Sequence, residues 1–504
     1  MSGIDLYTAG IHLFTPTTLG FLLFGLIVGI TIGALPGLNV NMAVSIMLPL
    51  TYGMDPSAGI LMLLGVYCGG NYGGSIAATL VNIPGTPSAV MTTLDAYPMA
   101  QKGKAGLAIG LATMASALGG LFSCIVLATI SPIVAEIALQ FTSLEMTVIC
   151  IFGVSIMAFV AGGSMLKGII AGVFGLVVSC IGFDPVTAVP RFTFDSIYLF
   201  SGIQFTAAMI GLFGFTEIIT SAENGLRRKV KMEIAEVHNV FECFKYLKSC
   251  GGNIMVSSVI GTIIGAIPGA GGTIASIVSY GFQKKVNKHP EELGNGAPDG
   301  IVAAEASNNA CCGGAMTTLL SLGIPGDSVT AILLGAFIIH GMQPGPTLFS
   351  DNPDMVSAIF IGMFIINIAL LFVGLLGAPQ FAKFLKIPKH ILHPCILVLC
   401  VIGTYGVQGS TFDVKMMFLF GVIGYVFSKL GIPRPPIVLG LVLGTTLEEN
   451  LRRTVTLSRG DLWGFFWKRT AETPIALIVL IITVMLLFGP PILRIIKKSR
   501  AAKN

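Results

Sequence analysis

The sequence predicts an all-α polytopic membrane protein with a duplicated core of interrupted helices. Composition predicts the class: the 504 residues are 54% hydrophobic and 11% charged, against about a quarter charged in soluble domains. The duplication is predicted by two apolar stretches that break in the same way. Ser75–Pro98 breaks at Ile83-Pro84-Gly85-Thr86-Pro87-Ser88, and Ala315–His340 breaks at Ile324-Pro325-Gly326-Asp327-Ser328. Proline removes a backbone donor and clashes with the preceding turn, while glycine frees the backbone to leave the helix. Matched breaks, one in each half of a chain, point to the ligand site of an inverted-repeat secondary transporter.

From the start, Phe14–Ala34 is long enough to span, Pro36-Gly37 interrupts it, and a second apolar run continues to Leu50. The run 57–81 leads into the first break, and the restarted helix ends at Gln101–Lys104. Apolar stretches at 105–134, 136–161, 165–183 and 196–220 are read as spans. The polar stretch 221–250, with Arg227, Arg228, Lys229 and Lys231, is read as cytoplasmic. The pattern then returns: Gly33-Ala34-Leu35-Pro36-Gly37 as Gly265-Ala266-Ile267-Pro268-Gly269, Gly73-Gly74 as Gly313-Gly314, and the Ile-Pro-Gly break after each. Further spans are expected at 354–381, 391–408, 412–430 and 473–493, with a re-entrant segment at 433–446 and an interfacial helix over 448–469.

The chain accordingly divides into a first repeat, 1–134, with a hairpin tip at 36–37 and a broken helix at 83–88. Connecting spans and the basic loop take 135–250. A second repeat, 251–382, has its tip at 268–269 and its break at 324–328, and C-terminal spans and tail occupy 383–504. Equivalent loops carry opposite character. The first copy passes Thr51–Ser57 with only Asp55 and closes at Lys102 and Lys104. The second passes Lys284, Lys285 and Lys288 and closes at Asp351 and Asp354. That is the pattern of a copy inverted in the bilayer, with each Pro-Gly as the tip of a re-entrant hairpin. The positive-inside tendency fails once, because the basic stretches 448–469 and 497–500 are separated by one span.

Several classes are disfavoured. The net charge of +5 sits mainly in loops and tails, which reports orientation and not a nucleic-acid partner. No ten-residue alternation marks a barrel, and the N-terminus lacks the basic region and cleavage site of a removed signal peptide. The ten cysteines are scattered through apolar segments, and no HExxH or comparable spacing calls for a metal. No GxxxxGK[ST] supports ATP-driven transport within the chain, no filter motif a channel, and no nucleophile–base set an enzyme.

The candidate residues follow from the breaks. Thr86 and Ser88 supply hydroxyls at one helix start, and Asp327 and Ser328 a carboxylate and a hydroxyl at the other. A helix N-terminus can hold a carboxylate without a buried base, and the apolar stretches around both breaks contain no Lys or Arg. Asn82 precedes the first Ile-Pro-Gly, where helix packing gives no evident need for an amide; Ser321 and Gly323 stand at the matching place. Asn39 and Asn41 follow the first tip, and Gly271-Gly272-Thr273 the second, facing the breaks or capping loops. Substrate contact is therefore expected at Asn39, Asn41, Asn82, Thr86, Ser88, Thr273, Asp327 and Ser328. A coupling cation is expected at Asp327, Glu305, Asn308 and Asn309, the last three forming with Ser307 a polar cluster that runs into apolar sequence. Capping alone is the competing role for Asp327. Asp95 and Tyr97 are read as interfacial anchors, Lys102 and Lys104 as topology determinants, and His340 as an interface residue, with proton coupling as its alternative role.

The motifs GALPGLNVNMAVSIMLPLTYG, YCGGNYGGSIAATLVNIPGTPSAV, GAIPGAGGTIASIVSYGFQKK, APDGIVAAEASNNACCGGA and LGIPGDSVTAILLGAFIIHGMQPGP run in this order from about Thr17 toward Pro433. They resemble the large membrane subunit of tripartite tricarboxylate transporters. The resemblance implies a multi-pass carrier of the bacterial inner membrane, driven by Na⁺ or H⁺ with no other cofactor. It also implies a small membrane subunit and a periplasmic solute-binding protein as partners. The implied substrates are di- or tricarboxylates such as citrate, or related organic acids, carried by an elevator-like motion. A binding-protein-independent organic-anion carrier or channel is the alternative reading.

Overall fold

The computed structural model describes residues 8–35, 38–160, 164–184, 187–225, 237–385 and 389–485. The chain is helical almost throughout. Among the described residues, seven helices are long and apolar enough to cross a membrane. The Pro36-Gly37 tip, the bases at 227–231 and the tail at 497–500 lie outside the described residues.

Proline punctuates the helix starts. Thr15 caps α1 (Pro16–Ala34) by accepting from the Thr18 amide, with Pro16 in the first turn. Asn39 does the same for α2 (Val40–Met47) through the Met42 amide, at 2.8 Å. Asp55 caps α3 (Pro56–Val81). A proline at the first position already lacks the amide that would go unpaired there. The first break follows α3; α4 (Val90–Met99) then runs through a bulge at Gly103 (φ 77°) into α5 (Ala105–Ala138). Next come α6 (Ser143–Val160) and α7 (Met165–Ser179).

Two expected spans are shorter than forecast. The stretch at 165–183 stops at Ser179, because Gly182–Phe183 pairs in an antiparallel bridge with Pro190–Arg191. The stretch at 196–220 begins only at α8 (Phe205–Met209), after a 3-10 turn and Gly202 (φ 79°), and continues through a π turn into α9 (Thr216–Gly225).

The second set is α10 (Leu247–Gly265), α11 (Gly271–Val286), α12 (Pro298–Leu322) and α13 (Ser328–Ile339). It is followed by α14 (Pro353–Phe384), α15 (Lys389–Gln408), α16 (Thr411–Lys429), α17 (Pro435–Leu457) and α18 (Leu462–Glu472). The expected interfacial helix at 448–469 is divided: its second half, from Leu462, is α18, and its first half joins the forecast re-entrant segment at 433–446 in the continuous α17. No glycine or proline lies between Thr446 and Leu457 to stop it. Its charges are paired as well: Arg191 grips Glu448 in a two-pronged contact at 2.6 and 3.0 Å, and Arg452 reaches Asp184 and Glu448, each at 2.6 Å.

The fold divides into two compact units, Met1–Glu136 with Thr206–Tyr425, and Ile137–Phe205 with Val426–Asn504. Both expected repeat stretches fall in the first. The second packs α17 on α6 and α7, with Gly175 against the Ile437 carbonyl.

In the first unit one packing pattern occurs twice. A Cβ on Gly29 or Gly33 of α1 would strike the carbonyls of Val66 and Gly70 on α3; one on Gly261 or Gly265 of α10 would strike those of Ser307 and Cys311 on α12. Gly73 answers from α3 against the Ile30 carbonyl, and Gly314 from α12 against that of Thr262. Glycine is what lets each pair of backbones come this close. The partners α3 and α12 are buried on nearly every side, which explains why their hydrophobicity shows no preferred face.

Candidate functional site

The two breaks are closed by equivalent close approaches of a glycine to backbone, with different hydrogen bonds beside them. After α3, Asn82 turns left-handed (φ 54°), and the Gly85 amide donates to the Gly74 carbonyl at 3.3 Å. A Cβ on Gly85 would meet the Gly33 carbonyl and the Gly74 Cα. After α12, Gly323 turns left-handed (φ 70°), and a Cβ on Gly326 would meet the Gly265 carbonyl and the Ala315 Cα. The Gly326 carbonyl accepts from the Gly269 amide at 2.7 Å, fastening the second break to the second hairpin tip.

The helix starts differ chemically. Thr86 is extended (φ −123°, ψ 152°) and makes no side-chain cap; its Oγ1 lies 3.0 Å from Ser88 Oγ, and both side chains are buried. Asp327 is fully engaged as a cap. Its Oδ1 accepts from the Thr330 amide and hydroxyl at 2.7 and 2.8 Å, and its Oδ2 accepts from the Tyr67 hydroxyl of α3 at 2.6 Å. Ser328 donates to Asn41 Oδ1 at 2.8 Å, so the second break also touches the helix after the first tip.

Gly271 and Gly272, which open α11, sit where the two breaks meet. A Cβ on Gly271 would lie 3.5 Å from Asp327 Cβ; one on Gly272 would lie 3.2 Å from Ser88 Cβ and 2.5 Å from Asn308 Oδ1. Asn308 Oδ1 is buried without a partner, while its Nδ2 donates to the Asn71 carbonyl at 3.3 Å. Ser88, Asp327 and Asn308 are therefore gathered around one hairpin start, at the N-terminal end of a helix that offers free amides.

The other expected residues stand apart in role. Asn39 caps α2, the loop-capping alternative. Asn82 is exposed and occupies the left-handed position that Gly323 fills in the other half, so helix geometry does supply a reason for an amide there. Thr273 is half-buried on α11. Glu305 lies deeper, accepting from the hydroxyls of Thr92 and Ser116, and both side-chain polar atoms of Asn309 are buried without partners. Asp95 is no simple interfacial anchor: it is fully buried, and its Oδ1 accepts from the amides of Gly294, Gly296 and Ala297.

The sequence alone did not single out Tyr67, Asn71, Thr92 or Ser116. Tyr67 and Asn71 were within reach, being polar and one turn apart on a helix otherwise made of apolar and small residues. Outside the spans, the Ser57 hydroxyl and neighbouring amides hold Asp55 below the ordinary carboxylate value. Burial lowers His340, opposed by Asp55.

The model of the tripartite tricarboxylate transporter TctA family matches residues 19–439. The chain belongs to that family. It is thus the component of a transporter and a multi-pass membrane protein, not an enzyme. It is similar to an "Uncharacterized 52.8 kDa protein in TAR-I ttuC' 3'region" of Agrobacterium vitis, 34% identical over 473 residues and 94% of each chain. A second protein of that organism, "Uncharacterized protein in TAR-II ttuC' 3'region", is 37% identical over 227 residues, 45% of this chain and 94% of its own. No solved structure matches this TctA-family chain.

Proposed function

We propose that this TctA-family protein carries di- or tricarboxylates, or related organic acids, across the bacterial inner membrane. Uptake is coupled to Na⁺ or H⁺, and the acid is delivered by a periplasmic binding protein to a complex with a small membrane subunit. The observation that carries this reading is the meeting of both breaks at Gly271-Gly272, in a region whose polar groups are hydroxyls, amides, helix N-termini and the capped Asp327 carboxylate, without a lysine or arginine. Such a site can bind an anion through backbone dipoles and still release it, because no buried cation holds it permanently. Paired packing of α1 on α3 and of α10 on α12 fits two repeats of inverted orientation moving together in an elevator-like step.

Uptake of labelled citrate by the reconstituted three-component system, with and without a Na⁺ or proton gradient, tests the reading. Ser88→Ala and Asp327→Asn are expected to lower uptake at least tenfold while the protein still inserts. Unchanged uptake in both variants would remove these residues from the site.

A further inference from the structure

Glu305 has no exposed surface and sits in the first third of α12, between α4 and α5. One of its oxygens accepts from the Thr92 hydroxyl of α4, and the other from the Ser116 hydroxyl of α5 at 3.0 Å. Two neutral hydroxyls thus bond it. A carboxylate this deep in the protein is costly unless its charge is balanced or removed. Hydroxyls suit a group that changes state: each donates to the ionised form, and either accepts from the protonated one.

Its register ties it to the site above. Thr92 follows Ser88 by four residues, and Glu305 precedes Asn308 by three, so the Thr92–Glu305 pair lies about one helical turn, roughly 5 Å, from the Ser88 and Asn308 side chains at Gly272. An anion held at the Ser88 hydroxyl and the amides that open α11 beside it would face an ionised Glu305 across surroundings that screen charge poorly.

We propose that Glu305 takes up the coupling proton, that Thr92 and Ser116 position it, and that the organic anion binds tightly only with Glu305 protonated. This rests on the carrier reading above. The proton comes from water on the side of entry and forms an O–H bond at a Glu305 oxygen as the anion binds. The same bond breaks to water on the far side as the anion leaves; the anion itself is unchanged.

Of the other ionisable groups on the surrounding elements, Asp327 accepts from Thr330 and from the Tyr67 hydroxyl of α3, and the next two are held in the same way. Tyr72 of α3 bonds Thr113 at 2.7 Å. Asp95 of α4 bonds three amides and the Tyr280 hydroxyl of α11. α12 adds the buried thiols of Cys311 and Cys312, and α5 offers only Cys124 between residues 105 and 135.

The test uses the full complex in liposomes with citrate as probe, at about pH 7 to 9 where the citrate carboxyls are ionised. Wild-type affinity should fall about tenfold per pH unit once Glu305 ionises, and Glu305→Gln should be flat. Glu305→Gln should also keep citrate counterflow while losing acceleration by an inward proton gradient. A Glu305→Gln variant that keeps that acceleration, or one that loses only a Na⁺ dependence, would overturn the proposal. A readout independent of transport is the infrared carboxyl band that appears on acidification. It should vanish in Glu305→Gln, shift in Thr92→Val and Ser116→Ala, and return in Thr92→Ser. A band unchanged by all of these overturns the proton site. Wild type that takes up no citrate yet shows the band would count against the carrier reading and leave the proton site standing.

Discussion

At the residue scale, the contrast between Asn82 and Gly323 decides how the first break is read. Both end a long helix in the left-handed region, and asparagine is among the few side chains that accept it. Asn82→Gly should therefore preserve thermal stability and uptake, whereas Asn82→Ala should cost about 1 kcal/mol. Loss of uptake in the glycine variant at unchanged stability would restore a substrate role to the amide. Asp327 poses the opposite case, since every oxygen it has is occupied. Tyr67→Phe removes the donor to Oδ2 and leaves a buried carboxylate oxygen unpaired, so it should cost about 2 kcal/mol, read as a drop in the thermal midpoint in detergent. The break residues themselves were legible in the sequence, because Pro-Gly in an apolar run has few other meanings. Their partners were not: Tyr67 lies 260 positions from Asp327 and Thr92 lies 213 from Glu305, and periodicity carries no information at that separation.

At the element scale, the breaks are held by close backbone approach more than by side chains. Gly85 packs on the Gly33 carbonyl and Gly326 on the Gly265 carbonyl. Gly85→Ala and Gly326→Ala should each destabilise by about 1–3 kcal/mol and by similar amounts, because each forces the same pair of backbones apart. Tolerance of one with unfolding by the other would argue against equivalent closures. Helix order and the positions of the two breaks were readable from punctuation alone. The stretch 433–457 was split in two because 433–446 alone is too short for a span and 448–469 mixes charges, yet Glu448 and Arg452 are one turn apart on one helix and paired with Arg191 and Asp184. The cap of α3 carries a pH signature. Asp55 ionises more readily in the folded chain than in the unfolded one, so its contribution is present above the ordinary carboxylate pKa of about 4 and is lost as pH falls through the lower folded value. Asp55→Ala should cost about 1 kcal/mol at neutral pH and flatten the acid limb of the stability curve, measured by thermal unfolding from neutral to acid.

At the scale of the first unit, each helix that restarts after a break ends on a loop belonging to the other half. At the far end of α4, Asp95 is gripped by the amides of Gly294, Gly296 and Ala297, between α11 and α12, and Lys102 donates to the Asn295 carbonyl at 2.6 Å. At the end of α13, His340 lies 3.3 Å from Thr51 Oγ1, in the turn between α2 and α3. The halves are thus interlocked by their broken helices, and the two locks differ in strength. The Asp95 lock is a buried carboxylate with three amide donors and the Tyr280 hydroxyl at 2.8 Å; the His340 lock is a single contact in partly exposed surroundings. Asp95→Asn leaves a weaker amide oxygen to the three backbone donors and sets an amide NH2 against the Tyr280 hydroxyl, so it should cost about 3 kcal/mol. His340→Gln should cost under about 1 kcal/mol. Thermal unfolding of the two variants, with protease accessibility of the 288–297 loop as a second readout, checks the order. If the His340 variant proved the weaker protein, or if the loop stayed protected in Asp95→Asn, the carboxylate would not be what joins the two halves.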